Sequence, residues 1–143
     1  MEIYSWNVNG IRSVAKKGFE SWFNSTKPEI LCLQEVRAEK DQLPEFLHDI
    51  EGYYSFWNPC QKKKGYSGVG ILSQIEPDEV NYGMGIDEFD EEGRIVQLVF
   101  PDWVLNSVYF PNGGQGEERL DYKLRFYDAF LENSLQWLEQ GKH

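Results

Sequence analysis

The order of apolar and polar residues along the chain predicts an alternation of strands and helices. A short strand near residues 2–6 precedes a predicted helix near 14–25, which Pro28 ends. Four apolar residues recur at helical spacing within that helix: Ala15, Phe19, Trp22 and Phe23. Residues 30–33 form a near-continuous apolar run, which is typical of a strand buried on both faces.

The middle of the chain predicts shorter elements. Pro44 opens a predicted helix near 44–50, and residues 53–57 have the pattern of a strand. A turn bounded by glycines at 65–68 leads into a further strand over 69–73.

A hairpin and a long helix complete the pattern. The two strands of the hairpin span 94–100 and 103–110, and Pro101-Asp102 between them is a strong signal for a tight turn. A helix follows over roughly 117–139, with Gly141 in its C-terminal cap region. Its apolar stripe comprises Leu120, Leu124, Tyr127, Leu131, Leu135 and Leu138. Together the elements predict one α/β domain with a largely antiparallel sheet.

Composition supports a single folded domain. The chain has 143 residues, of which 41% are hydrophobic and 15% aromatic, so it can bury a core and is not expected to be disordered. No apolar run is long enough to span a membrane, and the first residues lead into a strand rather than a signal peptide. Cys32 and Cys60 are too few for a disulfide scaffold, which favours a reducing, cytoplasmic setting.

Charge limits the kinds of partner. The formal net charge of −10 argues against broad attraction to nucleic acid. A local basic groove remains compatible with it, because one basic cluster occurs at 62–64 and another is formed by Arg12, Lys16 and Lys17. Much of the acidic charge lies at 87–92, which we expect to be a solvated loop.

Polar side chains follow two of the predicted strands. Glu35 ends the buried strand, and Asn7 and Asn9 end the first strand. A lone asparagine there is more often a turn residue, and a lone glutamate a solvated one. If the two strands are neighbours, these side chains meet at one edge of the sheet. Carboxylate and amide oxygens are the ligands that Mg²⁺ and Mn²⁺ prefer.

A third polar group follows the hairpin. Tyr109 ends a strand, and Asn112 precedes the glycine-rich segment 113–116. In a purely structural role, Tyr109 would cap the core and Asn112 would stabilise a turn. In a functional role, the phenol and the amide would face a bound phosphate. The phenol could donate a hydrogen bond to a phosphoryl oxygen, or as phenolate bind a metal or activate water. Five side chains could supply further phosphate contacts: Arg37, Tyr66, Arg94, Arg119 and Lys123.

Several other site types find no support in the sequence. It contains no zinc pattern, P-loop or dinucleotide-binding fingerprint. Its only histidines are His48 and His143, which leaves little basis for a Ser-His-Asp triad.

These segments together resemble the exonuclease III family of apurinic/apyrimidinic endonucleases, within the wider endonuclease/exonuclease/phosphatase superfamily. They occur in the family's order across essentially the whole chain: SWNVNGIRS at 5–13, EILCLQEVR at 29–37, GYSGVGILS at 65–73, EEGRIVQLVF at 91–100, NSVYFPNGG at 106–114 and ERLDYKLRFYDAF at 118–130. The string LQE is shared across the superfamily. The third, fifth and sixth segments are more specific and point to DNA repair rather than to lipid or inositol phosphate hydrolysis.

The resemblance implies a four-layer α/β sandwich, of which this chain would hold the N-terminal sheet and its flanking helices. It implies a Mg²⁺-dependent phosphodiesterase, with Mn²⁺ as an alternative metal. Such an enzyme cuts double-stranded DNA 5′ to abasic sites and often has 3′-exonuclease and 3′-repair activity. Its expected location is cytoplasmic, at the nucleoid in a bacterium.

The resemblance also implies a role for each motif residue. Glu35 is the expected metal ligand, and Asn7 is expected to support the metal site and the catalytic group by hydrogen bonds. Tyr109 and Asn112 are expected at the scissile phosphate. Asn9 lies where some members carry an aspartate. The expected contacts with the DNA backbone are Arg37, Tyr66, Arg119 and Lys123.

Two groups of the family are absent from the sequence. The chain contains no Gly-Asp-x-Asn and no Ser-Asp-His, which in the family handle the nucleophile and the transition state. We therefore expect residues 1–143 to be the N-terminal portion of a nuclease domain, inactive alone. We also expect an exposed sheet face, and association with a missing C-terminal half or with itself. The alternatives are another phosphodiesterase of the superfamily, a natural split protein, and a non-catalytic fragment that serves binding or assembly.

Overall fold

The computed structural model describes all 143 residues, Met1 to His143. The seven strands are β1 (Ile3–Asn7), β2 (Ile30–Gln34), β3 (Tyr54–Asn58), β4 (Val69–Ser73), β5 (Glu79–Asn81), β6 (Ile95–Val99) and β7 (Val104–Val108). The four α-helices are α1 (Ile11–Ala15), α2 (Phe19–Thr26), α3 (Asp87–Asp90) and α4 (Glu117–Glu139). Two 3₁₀ turns lie at Lys40–Gln42 and Glu45–Leu47. No helix is both long and apolar enough to cross a membrane.

The strands form two sheets rather than the single sheet expected from the sequence. The first has the order β1-β2-β4-β3, in which only the β1–β2 pair is parallel. The second has the order β5-β6-β7 and is antiparallel, with the Pro101-Asp102 turn joining β6 to β7 as predicted. The sequence analysis missed β5, because a strand of three residues carries too little periodicity to detect.

The two sheets pack face to face, and a helical layer covers the outer face of each. The layer between the sheets is apolar and consists of Ile30, Cys32, Val69, Ile71, Val96, Leu98 and Phe100. The 3₁₀ turns, α1 and α2 pack on the outer face of the first sheet, and α4 packs on the second through Tyr122 and Phe126. The four-layer α/β fold expected from the resemblance is therefore confirmed.

The prediction of an exposed sheet face is wrong, because the second sheet covers most of the inner face of the first. Ile30, Ile71 and Leu98 are fully buried between the sheets. Exposed apolar surface lies instead on α4, whose predicted stripe faces outward. Leu131 is 59% exposed and Leu124 is 53% exposed.

Local differences from the predicted elements have simple backbone causes. Gly18, with a φ of 97°, separates α1 from α2 where one helix over 14–25 was predicted. The predicted helix at 44–50 is only the 3₁₀ turn Glu45–Leu47. The acidic segment is not a solvated loop, because it contains α3, and Phe89 and Glu92 are buried.

Candidate active site

The parallel pairing of β1 with β2 brings their polar ends together, which meets the condition set in the sequence analysis for these side chains to share an edge. Asn7 lies opposite Gln34 in the register, so that Glu35 follows directly beside it. The Asn7 amide donates a hydrogen bond of 3.0 Å from Nδ2 to Glu35 Oε1. Arg37 donates from Nη2 to Glu35 Oε2 at 2.6 Å. The Tyr109 side chain, directly after β7, lies beside the same carboxylate.

The backbone around Glu35 is strained. Five residues other than glycine have positive φ, and four of them lie here: Asn9 at 47°, Glu35 at 50°, Arg37 at 53° and Ser67 at 52°. Backbone hydrogen bonds hold these loops together, including Gly10 N to Glu35 O at 2.8 Å and Arg37 N to Ser67 O at 2.9 Å. Because left-handed residues cost energy and cluster at functional sites, this edge of the sheet is a candidate site on conformational grounds alone.

The electrostatics of the site keep Glu35 charged and Tyr109 neutral. Burial alone would raise the pKa of Glu35, but the hydrogen bonds from Asn7 and Arg37 outweigh it and hold that pKa below its usual value. Burial raises the pKa of Tyr109, and the neighbouring Glu35 carboxylate raises it further. The raised pKa favours the neutral phenol of Tyr109, which is able to donate a hydrogen bond, over the phenolate.

The oxygen atoms at this edge of the sheet could bind a hard cation that takes few protein ligands. The structure contains no group of three or more His, Cys, Asp or Glu side chains that could hold a metal ion. Glu35 is the one carboxylate of the site. Mg²⁺ commonly binds one or two protein carboxylates and keeps several waters, so a single glutamate fits it. Asn7 acts by orientation, because its Nδ2 donates to Glu35 and its Oδ1 accepts the Asn9 N–H at 3.0 Å.

A second polar cluster lies beside the first and includes Tyr66 and Arg119. Both line an open cavity of about 390 Å³ whose other walls include Lys62 and Lys63. Arg94, considered above as a phosphate contact, is only 1% exposed and cannot reach DNA. It donates instead to the Tyr66 hydroxyl at 2.8 Å and to the Tyr109 carbonyl at 3.0 Å. Arg94 therefore connects the cluster around Glu35, through Tyr109, with the cluster that contains Tyr66 and Arg119.

The two remaining residues of the predicted site, Asn112 and Lys123, form no hydrogen bond with Glu35. Asn112 is exposed, and its Oδ1 accepts the Gly114 N–H at 2.9 Å, which is the turn geometry noted as its alternative. The Lys123 ammonium lies 5.5 Å from the centre of the Tyr127 ring. Their predicted roles at the scissile phosphate and on the DNA backbone stay predictions.

Sequence reasoning missed Glu92 as part of this region. It stood in an acidic run that looked solvated, yet it is buried against Arg94 and Arg119. The one usable signal was its position, immediately before Gly93 and a strand of five buried residues.

Comparison with known proteins identifies the family to which this chain belongs. Residues 4–138 match the Endonuclease/Exonuclease/phosphatase family. The chain is 42% identical to the DNA repair nuclease APEX1 of Danio rerio over 86% of this chain and 40% of that protein. It is 40% identical to an exodeoxyribonuclease of Bacillus subtilis over 99% of this chain and 55% of that protein.

Solved structures agree with the sequence comparison. A 3′-5′ exonuclease, NExo, from Neisseria meningitidis superposes with a TM-score of 0.82 at 25% identity, over 99% of this chain and 54% of that chain. The catalytic domain of Xenopus laevis APE2 gives a TM-score of 0.83 at 28% identity, over 99% and 55%. Another Neisseria NExo structure is bound to a product DNA hairpin. The chain spans about half the length of most of these relatives.

Proposed function

The chain belongs to the endonuclease/exonuclease/phosphatase family, and from this premise we propose that it is part of a Mg²⁺-dependent DNA repair phosphodiesterase. The proposed reaction is cleavage of DNA 5′ to abasic sites, with exonuclease and repair activity at 3′ ends. The observation that carries the proposal is the Glu35 carboxylate, which accepts a hydrogen bond from Asn7 and lies beside Tyr109 at the joined ends of β1 and β2.

Each residue of the site would contribute a separate task. A bound Mg²⁺ would supply positive charge to a phosphoryl oxygen, and Glu35 would hold it. Asn7 fixes the orientation of Glu35 and keeps its charge. Tyr109, as a neutral phenol, would donate a hydrogen bond to a phosphate oxygen. The names of the relatives support DNA as the substrate, since they include a DNA repair nuclease and an exodeoxyribonuclease.

We propose that residues 1–143 alone have no appreciable nuclease activity. The chain supplies a cation ligand and a phenol, but no Gly-Asp-x-Asn or Ser-Asp-His group to activate the nucleophile. Loss of most of a concerted catalytic set costs many orders of magnitude in rate. Pure protein incubated with an abasic-site duplex and Mg²⁺ should therefore give no product above background in a gel assay. Turnover that disappears in Glu35→Ala would contradict this, since a contaminating nuclease would not respond to that substitution.

We further propose that α4 pairs with α4 of a second copy of the chain in solution. The exposed stripe on α4 has an approximately heptad spacing and is self-complementary in an antiparallel arrangement. Such pairing places Leu120 opposite Leu138, Leu124 opposite Leu135 and Tyr127 opposite Leu131. Contiguous exposed apolar surface of this kind favours association.

Light scattering should show dimers or larger species for the wild-type chain. The double variant Leu124→Gln/Leu131→Gln should shift the distribution to monomer while the melting temperature of the folded domain stays the same, because both side chains are more than half exposed. A monodisperse wild-type monomer would refute the pairing.

A further inference from the structure

Glu92 is a buried carboxylate between two guanidinium groups. Only 3% of the residue is exposed. Arg94 donates to its Oε1 from Nε at 3.0 Å, and the Arg94 Nη2 lies 2.9 Å from the same oxygen. Arg119 donates to both oxygens, from Nη1 at 3.1 Å and from Nη2 at 3.0 Å. Every buried polar side-chain atom of the chain has a partner, so this network is fully satisfied.

The Arg94 guanidinium, which is fixed by Glu92, also donates hydrogen bonds to Tyr66 and Tyr109. Besides Glu92 it contacts the Tyr66 hydroxyl and the Tyr109 carbonyl, and these three partners together engage all its nitrogen atoms. Because the Tyr66 hydroxyl accepts this hydrogen bond, its own O–H remains free to donate into the cavity. Arg94 thus fixes the orientation of one wall of the cavity and the end of the strand that carries Tyr109.

Arg119 is fixed in the same way on the opposite side of Glu92. Its guanidinium lies 4.2 Å from the centre of the Tyr122 ring and makes a two-pronged contact with the carboxylate. The side chain is nevertheless 29% exposed and lines the cavity. A bidentate carboxylate restricts a guanidinium far more than solvent does, so the remaining N–H groups point in a defined direction.

The charge of Glu92 is needed for this arrangement. Burial alone would raise its pKa, but the hydrogen bonds from Arg119 and Arg94 outweigh it, and the pKa lies below the usual value. Without the carboxylate, two cationic groups would face each other with no counter-ion. Breaking a buried charge network by removing one partner leaves the others uncompensated, and they rearrange or take up water.

We propose that Glu92 is a positioning residue that sets the geometry of Arg119 and Tyr66 for contact with a nucleic-acid phosphate. The inference rests on the proposed function, because it assumes that DNA lies over this cavity. Glu92 itself would touch no DNA. Its effect would pass through the guanidinium of Arg119 and, by way of Arg94, through the hydroxyl of Tyr66.

The direction of the change in DNA affinity in Glu92→Gln distinguishes a positioning role of Glu92 from a simple effect of its charge. Glu92→Gln removes one negative charge, which by simple electrostatics should strengthen DNA binding. A positioning role predicts the opposite, a loss of DNA affinity of about tenfold. It also predicts a weaker salt dependence, with the slope of log affinity against log salt concentration reduced by about one unit for each lost phosphate contact. Glu91→Gln is the matched control, since it makes the same change of charge at the adjacent, exposed position.

The measurement is fluorescence anisotropy of an abasic-site duplex titrated with the 143-residue chain over a series of salt concentrations. We expect Glu91→Gln to bind as tightly as wild type or slightly more tightly, and Glu92→Gln to bind more weakly at a temperature where circular dichroism shows both folded. Equal or tighter binding by folded Glu92→Gln would overturn the inference.

Two further measurements cover variants that fail to fold or to bind. Arg119→Lys keeps the charge at a partly exposed position but cannot make the two-pronged contact, so its affinity should fall and its salt slope should decrease. Unchanged binding would count against the inference. If the wild-type chain binds no DNA, the proposed substrate fails. Positioning is then decided by NMR, where resolved signals of the Arg94 Nε–H and of the Arg119 Nη–H groups should vanish in Glu92→Gln, and their persistence would refute it.

Discussion

Gly93→Ala is expected to lower the free energy of unfolding by more than about 4 kcal/mol, a large share of the stability of a domain of this size. A β-carbon at Gly93 would lie 2.6 Å from the Cys60 nitrogen and 2.7 Å from the Asn58 carbonyl oxygen. Both are backbone atoms that cannot move aside as a flexible side chain can. The φ of 61° adds the ordinary strain of a left-handed alanine.

Gly52→Ala separates the two contributions. Gly52 has a φ of 83°, and nothing lies within 4 Å of a β-carbon built there. Only the backbone strain applies, so the expected cost is about 1–2 kcal/mol. Urea unfolding of both variants, followed by circular dichroism, gives the comparison. Equal stability of Gly93→Ala and Gly52→Ala would show that the close approach around Gly93 does not matter.

The position of Gly93 explains why so tight a contact exists. Its carbonyl accepts hydrogen bonds from the Gly68 N–H and the Ser67 hydroxyl, each at 3.1 Å. Gly68 in turn accepts the Val36 N–H at 2.9 Å, one residue after Glu35. The backbone at Gly93 therefore holds the strained loop of Glu35 against the segment that carries Glu92 and Arg94. Stability and site geometry depend on the same few atoms.

The sequence predicted the parts of this site that depend on strand ends. The apolar run before Glu35 indicated a strand buried on both faces. The sequence placed the polar residues after the two strands at one edge only if the strands were neighbours, and the structure shows that they are. Tyr109 was predicted at the end of the second hairpin strand, and the structure places it directly after β7. These inferences worked because period and turn chemistry are local properties of the chain.

The sequence did not predict what depends on contacts between distant segments. Glu92 and Arg119 are 27 positions apart, and neither one signals that the other neutralises it. The exposure of the apolar stripe on α4 was not predicted, for a related reason. The helix has two apolar faces, and hydrophobic spacing alone does not tell that Phe126 packs on the second sheet while Leu131 faces outward.

Glu35→Gln is expected to remove divalent-cation binding at the end of β2, because it takes away the site's one carboxylate. With a single charged ligand, the wild-type affinity for Mn²⁺ should be weak, on the order of 1 mM. Glu35→Gln should lower it at least about tenfold. Titration with Mn²⁺, read out by paramagnetic broadening of amide signals in NMR, measures both affinities without depending on catalysis.

Two further substitutions are expected to increase the affinity for Mn²⁺. A gain in affinity tests the site more strictly than a loss, which misfolding could also cause. Arg37 occupies Glu35 Oε2 at 2.6 Å and competes with a cation, so Arg37→Ala should strengthen Mn²⁺ binding. Asn9→Asp adds a carboxylate where some members of the family carry one. It precedes Gly10, whose N–H donates to the Glu35 carbonyl, and aspartate tolerates the left-handed φ at that position.

Glu39→Gln is the matched control, since it removes a carboxylate outside the Glu35 cluster and should leave Mn²⁺ binding unchanged. The expected order of affinity is Asn9→Asp and Arg37→Ala above wild type, with Glu35→Gln below it. Broadening around residue 35 that persists in Glu35→Gln, or that weakens in Asn9→Asp, would show that the Glu35 carboxylate does not hold the cation. In the wild-type chain a cation reaches the Glu35 Oε2 atom only when Arg37 moves away from it, which is a second reason to expect weak binding.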